Sequence, residues 1–265
     1  MGNICILVTY EKNNIVMDTI LKHRSIRKYS KRDIEEEKLT AILEAASRAS
    51  TTGNMQVYSI VVTRDKAIKE KLWESHFKQD MVLEAPVHLT FCADFNRFTK
   101  WCNQRDADPG YDNFLSFFTG AIDALLAAQN ASLEAESMDL GICYLGTVTW
   151  MADRFIEILK LPDLVVPVAA LTIGYPDENP GLTSRLPLEG IVHQETYQDY
   201  SAEDINRIYQ GLEELEETRQ LLLENNKDTL AQVFTDNRYT RKDNMTFSEK
   251  FLEIIRKQAF MNNTE

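Results

Sequence analysis

Glycine is scarce in this sequence, and its few glycines form none of the patterns that bind nucleotide phosphates. The 265 residues include ten glycines, and no two of them are two positions apart, so G-x-G-x-x-G is absent. The P-loop pattern G-x-x-x-x-G-K-[ST] is absent as well. Both patterns bring backbone amides close to a phosphate, so the usual Rossmann and P-loop modes of nucleotide binding are excluded.

Cysteine is scarce too, and this limits the metal and disulfide chemistry that the chain can support. The four cysteines, Cys5, Cys92, Cys102 and Cys143, form no C-x-x-C pair, and the four histidines form no H-E-x-x-H or similar pattern. No metal site is therefore predicted. So few cysteines do not make a disulfide scaffold, and a reduced, cytoplasmic protein is the expectation.

Positive charge is in short supply, because 29 Lys and Arg stand against 41 Asp and Glu, which gives a formal net charge of −12. Such a balance argues against a nucleic-acid binder and against an anionic membrane surface. The longest apolar run, residues 165–173, contains Pro167 and is too short to span a membrane. We therefore expect neither a nucleic-acid nor a membrane partner.

We expect no targeting signal in the first residues. The apolar run 4–8 is too short for a signal peptide, and Ile6 occupies the position where a myristoylation signal has Ser or Thr. Because Met17 reads like a natural beginning, residues 1–16 are expected to be a loose N-terminal extension.

The order of the predicted elements indicates an α+β fold. Short strands mix with helices without regular βαβα alternation, which disfavours a doubly wound sheet. The helix predicted at 112–138 is apolar nearly all round in its middle, so it should be buried on most faces. Helices are predicted at residues 34–49, 66–74, 112–138, 153–159, 203–224 and 247–260, and strands at 58–63, 87–93, 142–145 and 165–173, the last central in its sheet.

The densest polar segment is His23-Arg24-Ser25-Ile26-Arg27, followed by Lys28. In an extended segment His23, Ser25 and Arg27 share one side, because side chains alternate. Two guanidiniums, an imidazole and a hydroxyl suit a dianionic phosphate. An exposed basic patch before a helix explains the same residues, and this alternative stays open at this point.

Three further segments offer polar groups. Ser50, Thr51 and Thr52 lie between a helix and a strand, where hydroxyls could bind a ring or phosphate or simply form a turn. The segment 144–147 ends a strand at Gly146, which permits either close approach to a ligand or a plain turn. Arg185 adds a cation in a Pro/Gly-rich loop.

Taken together and in order, these segments resemble the FMN-dependent nitroreductase superfamily, within it the NADPH-dependent oxygen-insensitive nitroreductases and flavin reductases. The resemblance spans about residues 17–200, the expected FMN-binding core, and extends faintly into 201–265. It is carried by HRSIR (23–27), FCADFNR (91–97), AQNA (128–131), AESM (135–138), LGICYLG (140–146) and RLP (185–187).

The resemblance implies a central, mostly antiparallel sheet flanked by helices, in an intertwined homodimer whose partner is wrapped by residues 201–265. FMN would be held by the strip 23–27 at its ribityl phosphate, by a glutamine at its ring, and by backbone amides of Gly146 and Thr147 near flavin N5 and O4. The implied FMN-binding residues are His23, Arg24, Ser25, Arg27, Ser50, Thr51, Thr52, Gln79, Tyr144, Leu145, Gly146, Thr147 and Arg185.

Two positions depart from the branch that the chain resembles. Thr147 stands where the branch has a second Gly, and Thr183 stands where it has a Lys. The first change narrows the predicted site, and the second removes a cation beside the phosphate, unless Lys28 or Lys22 compensates.

The tail segment 239–244 is similar to a mobile loop of this branch that holds the NADPH 2′-phosphate, which implies roles for Arg238 and Arg241. A surface turn before the last helix is the alternative.

The implied activity is ping-pong hydride transfer from NADPH, or NADH, through FMN to nitroaromatics, quinones or free flavin, with no catalytic side chain. Two alternatives stay open. One is a different reaction on the same fold, such as flavin fragmentation or dehalogenation, and the other is a non-catalytic flavin-binding protein.

Overall fold

The computed structural model describes residues 14–262. The chain forms two compact units. One comprises the described residues up to Gly181 together with those from Lys250 onward, and the other comprises Leu182–Glu249. The second unit thus begins earlier than the expected boundary at residue 201, and residues 250–262 belong to the first unit.

The first unit is built on a four-stranded antiparallel sheet, as the sequence predicts. Its strands lie in the order β1-β2-β4-β3. The strands are β1 (Tyr58–Thr63), β2 (Val87–Asp94), β3 (Gly141–Leu145) and β4 (Val165–Gly174).

The two inner strands, β2 and β4, are almost wholly buried, which is why both read as continuous apolar runs. The prediction that residues 165–173 form a central strand is confirmed. The ladder between these strands shifts where Phe91 pairs with Ala169 and Cys92 pairs with Pro167. Proline has no backbone N–H to give to a ladder, so an irregularity is where an inner strand tolerates it.

Helices flank the sheet and join its strands. The long central helix matches the predicted range within two residues at its start. The helices of the first unit are α1 (Ile15–Lys22), α2 (Glu36–Ser47), α3 (Lys66–Ser75), α4 (Met81–Glu84), α5 (Asn96–Asn103), α6 (Phe114–Ser137), α7 (Thr147–Trp150) and α8 (Ala152–Leu159). The second unit contains α9 (Ala202–Glu213), α10 (Glu216–Asn225), α11 (Leu230–Gln232) and a π-helical turn at Val233–Arg238. Helix α12 (Arg241–Lys257) begins in the second unit and ends in the first.

Helix α6 packs one face on the sheet and leaves another open. The packed face is rich in alanine, so the helix approaches the strands closely; a Cβ at Gly120 would stand 2.9 Å from the Val57 carbonyl oxygen. The prediction that α6 is buried on most faces is wrong for the single chain, because large apolar side chains on the opposite face are exposed. These are Phe114, Leu115, Phe118, Ile122, Leu125 and Leu126.

Three predicted boundaries differ from the structure. Helix α1 begins at Ile15, so the expected end of the N-terminal extension at residue 16 falls inside a helix. The acidic helix predicted at 203–224 is two helices, α9 and α10, and α12 begins at Arg241 rather than at residue 247. The expectations that concern residues 1–13, including Cys5, lie outside the described residues.

No helix within residues 14–262 is long and apolar enough to cross a membrane. In the same part of the chain, no group of three or more His, Cys, Asp or Glu side chains is arranged to hold a metal ion.

Candidate functional site

The basic segment 23–27 lies beside strand β3. Ser25 forms a parallel bridge with Ile142, and the Ile26 N–H donates to the Ile142 carbonyl oxygen at 2.8 Å. Ile26 is buried in the core, while Arg27 and Lys28 are exposed. The segment therefore acts as an added edge beside β3, anchored by one apolar residue.

Gly141 makes this close approach possible, because a Cβ there would stand 2.7 Å from both Cβ and Cγ1 of Ile26. We expect Gly141→Ala to lower the free energy of unfolding by about 2 kcal/mol, the usual cost of overpacking. Urea denaturation measures this change. Gly211→Ala is the control, since no described atom lies within 4 Å of the added Cβ in α9; it should change stability by about 1 kcal/mol or less, in the stabilising direction. Equal losses in both variants would contradict the packing argument.

His23 is oriented by a carboxylate that the sequence did not identify as part of the site. Its Nδ1 lies 2.7 Å from Glu136 Oε1, at the end of α6. Burial raises the pKa of Glu136, and the hydrogen bond from His23 opposes that rise. Oε2 of Glu136 has no hydrogen-bond partner among residues 14–262. The contact engages Nδ1 of His23.

The two arginines of the segment have different environments. Arg24 donates to the Asn179 side chain and to the Pro180 carbonyl oxygen, so its guanidinium ties down the loop after β4. Glu178 accepts hydrogen bonds from the backbone N–H groups of Arg27 and Lys28 and not from their side chains. Arg27 itself is exposed. A plain basic patch is therefore an incomplete description, since two carboxylates are built into the same surface.

Strand β3 ends at the predicted segment 144–147. Tyr144 is exposed, and its hydroxyl lies 3.5 Å from Gln129 Oε1. Gly146 precedes α7, and no described atom lies within 4 Å of the position where a Cβ would stand. The packing of the described chain thus gives no steric reason for glycine here, and the backbone at Gly146 is open to a ligand.

A turn after α3 meets this segment. The Gln79 side-chain amide donates to the His76 carbonyl oxygen at 2.9 Å, and His76 Nδ1 lies 2.6 Å from the Thr147 hydroxyl oxygen. The sequence identified Gln79 and Thr147 as site residues but not His76. His76 is recognisable by its burial in the structure, and the sequence alone does not show whether an isolated histidine is buried.

Residues 50–52 lie elsewhere in the unit. Asp123 of α6 accepts the Thr52 backbone N–H at 3.0 Å and the Val57 backbone N–H at 3.3 Å. Asp123 and Glu136 are about 20 Å apart along the α6 axis, since each helical residue adds about 1.5 Å. Within one chain, the structure therefore does not bring the 50–52 strip to the 23–27 strip.

Asp123 is a buried carboxylate that holds the 52–57 loop, and the sequence did not predict it. We expect Asp123→Ala to lower the free energy of unfolding by about 3 kcal/mol, because the buried Val57 N–H and the part-buried Thr52 N–H both lose a charged acceptor. Equilibrium unfolding in urea measures the loss. Gln129→Ala, at an exposed position of the same helix, should change stability by less than about 0.5 kcal/mol. A similar small change for Asp123→Ala would rule out the anchoring role.

The remaining predicted residues belong to the second unit. Arg185 is exposed and donates to the carbonyl oxygens of Thr183 and Ser184. Arg238 ends the π-helical turn, with its guanidinium 5.9 Å from the Phe234 ring centroid. Arg241 is the first residue of α12, so the tail segment 239–244 is helical from Arg241 and not a loop or surface turn.

The sequence matches known proteins over most of its length. The model of the Nitroreductase family matches residues 20–175. The FMN reductase (NADPH) of Bacillus subtilis is 36% identical over 186 residues, which cover 69% of this chain and 75% of the relative. The oxygen-insensitive NADPH nitroreductase of Salmonella typhimurium is 32% identical over 246 residues, which cover 92% of this chain and 97% of the relative.

The fold agrees with these matches. A crystal structure of a Bacteroides fragilis protein has a TM-score of 0.91 and 54% identity, over 93% of this chain and 100% of that one. The chain belongs to the nitroreductase family. The resemblance drawn from its motifs and the nitroreductase-like fold class are both confirmed.

Proposed function

We propose that this chain is an FMN-dependent oxidoreductase that takes hydride from NADPH and passes it to nitroaromatics, quinones or free flavin. One observation supports the proposal: strand β3 is bridged by Ser25 at Ile142, and the segment that follows it contacts the turn of His76 and Gln79 through the Thr147 hydroxyl. The names of the relatives support FMN as cofactor and NADPH as donor.

The groups at β3 fit FMN chemically. The exposed guanidinium of Arg27 suits a phosphate, which arginine binds through two hydrogen bonds. The backbone at Gly146 is open, because nothing lies within 4 Å of the position where a Cβ would stand. Gln79 donates a hydrogen bond through its side-chain nitrogen, which leaves its side-chain oxygen available as an acceptor. We assign Arg24, Ser25 and Arg27 to the phosphate side, and Gln79 and residues 144–147 to the ring.

FMN supplies, when bound, a ring that accepts a hydride and gives electrons to a second substrate. The protein's own task is to bind, orient and balance charge. Amides at Gly146 and Thr147, together with nearby cations, would stabilise negative charge at the ring edge. No side-chain nucleophile or base is required. We further propose that Arg238 and Arg241 bind the 2′-phosphate of NADPH and that Arg185 contributes to the FMN phosphate.

The active form is proposed to be a homodimer. The exposed apolar face of α6 carries Leu115, Phe118, Ile122 and Leu125 at helical spacing, and such a face is typical of a protein interface. A second copy would also supply the hydroxyls of residues 50–52, which one chain keeps away from its own 23–27 strip. Residues 201–265 are proposed to wrap that second copy.

Anaerobic reduction tests the function. NADPH, and separately NADH, is added to purified yellow protein while absorbance at the flavin band is followed. Fast bleaching by NADPH, reversed by nitrofurazone or menadione, is the expected result and identifies the donor. A yellow protein that neither nicotinamide bleaches would favour another flavin reaction on this fold or flavin storage. A colourless protein that takes up no FMN would overturn the assigned site.

A further inference from the structure

Two histidines are buried in contact with each other beneath the candidate site. His76 follows α3 and His88 lies on β2, and both side chains are completely buried. Their Nε2 atoms are 3.0 Å apart, which is hydrogen-bonding distance. The ring of Phe155 packs edge-on against His76 with the centroids 4.9 Å apart. The pair therefore lies in an apolar pocket with few polar partners.

At this distance one Nε2 carries a proton and donates it to the other Nε2, and the accepting ring, when neutral, carries its proton on Nδ1. Burial lowers the pKa of His76 to about 2 and that of His88 to about 3, so neither ring is charged near neutral pH. One ring donates through Nε2 and the other accepts, which fixes opposite roles for their Nδ1 atoms. His76 Nδ1 lies 2.6 Å from the Thr147 hydroxyl oxygen, and His88 Nδ1 lies 3.4 Å from the Thr90 hydroxyl oxygen. The result is a continuous hydrogen-bond chain from Thr90 to Thr147.

His76 contacts both neighbouring segments of the candidate site. Its ring contacts Thr147, and its carbonyl oxygen accepts the Gln79 side-chain amide at 2.9 Å. Between His76 and Gln79 the backbone takes two left-handed residues in succession, Phe77 with φ 54° and Lys78 with φ 60°. Such a conformation is unfavourable for residues other than glycine and persists only where surrounding contacts hold it.

We propose that His76 is a positioning residue of the flavin site, whose ring fixes the Thr147 hydroxyl and whose carbonyl fixes the Gln79 amide. This inference rests on the proposed function. It also accounts for the Thr147 hydroxyl, which lies 2.6 Å from His76 Nδ1. A threonine there has a hydroxyl that needs a partner and a Cβ that must point away from a ligand. The buried imidazole provides the partner on the inner side, so the backbone of residues 146–147 stays open outward.

Two Thr→Val substitutions, at the two ends of the hydrogen-bond chain from Thr90 to Thr147, test the proposal. Thr147→Val removes the hydroxyl beside the site, and Thr90→Val removes the one at the far end. We expect Thr147→Val to raise the FMN dissociation constant about tenfold, because residues 146–147 lose the hydrogen bond to His76 that positions them. Thr90→Val should leave that constant within about twofold, because its contact to His88 is longer and lies away from the site. Equal effects of the two substitutions would overturn the proposal.

Two substitutions of His76 separate its two ring contacts. Asparagine places a polar atom near the position of Nδ1 and can still bond Thr147, whereas glutamine reaches toward Nε2 and His88. We expect His76→Asn to keep FMN affinity within about threefold of the unsubstituted chain and His76→Gln to weaken it about tenfold. His76→Gln combined with Thr147→Val should be no weaker than either alone, because both remove the same contact. Failure of asparagine to rescue affinity would contradict action through Thr147.

Nitrogen NMR of the imidazoles in flavin-free protein gives a readout that needs neither FMN nor activity. Thr147→Val should shift the Nδ1 resonance of His76 and leave that of His88 in place, and Thr90→Val should do the reverse. If His76→Gln does not fold, the Thr→Val pair still decides. If the unsubstituted chain takes up no FMN, the proposed function fails while NMR still tests the contact. If it binds FMN and Thr147→Val binds equally well, only the positioning role fails.

Discussion

A chain in which Arg24 and Arg27 are both replaced by alanine should purify without FMN. Hydrogen bonds from a charged donor contribute about 1.5–3 kcal/mol each, so losing two raises the dissociation constant by a factor of about 100 or more. Fluorescence titration with FMN measures this constant. Absorbance of the purified protein gives the flavin content independently.

Two controls separate phosphate binding from other effects of this double substitution. Arg24 also holds the loop after β4 through Asn179 and the Pro180 carbonyl oxygen, so Asn179→Ala removes the side-chain contact while keeping the guanidinium, and it should retain FMN. Arg105→Ala with Arg154→Ala removes the same total charge from exposed surface positions and should retain FMN as well. A double Arg24/Arg27 variant that purifies yellow with stoichiometric flavin would contradict the assignment of residues 23–27 to the phosphate.

Leu125→Glu should convert the chain from a dimer to a monomer and weaken FMN binding at the same time. Leu125 is 47% exposed on the open face of α6, and a carboxylate there would have to be buried in the proposed interface. Burying an unpaired charge costs several kcal/mol, enough to raise the dimer dissociation constant about a hundredfold or more. Sedimentation velocity at micromolar concentration distinguishes the two states.

The matched control is Val62→Glu, which puts the same charge on an exposed apolar position of the outer strand β1. It should remain dimeric and keep its flavin. The dimer proposal fails if the unsubstituted chain sediments as a monomer with FMN bound. If Leu125→Glu is monomeric yet holds FMN as tightly as before, the 50–52 strip of a second copy takes no part in the site.

Local sequence pattern predicts the strands of this fold well but not every helix boundary. The run Tyr58–Thr63 is rich in β-branched residues, and the structure has a strand with the same limits. The acidic stretch after residue 201 keeps helical spacing throughout, yet it breaks between α9 and α10. At the break, the Thr218 hydroxyl donates to the Leu212 carbonyl oxygen at 2.7 Å. That bond compensates the interruption, and neither glycine nor proline marks it in the sequence.

The candidate site was predictable where its residues are neighbours in the chain, and it was not where they meet across it. The strip 23–27 stands out in the sequence as its densest polar segment. Its partner Glu136 is far along the sequence, and so is the Thr147 partner of His76. A lone glutamate or histidine in a helical or turn pattern is indistinguishable from an exposed one. Burial and pairing appear only when the sheet brings these elements together.

The length of helix α6 has a consequence for which sequence changes this protein can tolerate. Asp123 holds the 52–57 loop, and Glu136 holds His23, from the same rigid helix. One inserted residue between them would turn Glu136 by about 100° around the helix axis and away from His23. Functional variants should therefore have no insertions or deletions between these two positions. Single substitutions on the open face of α6 can be accepted when the surface that packs against that face changes with them.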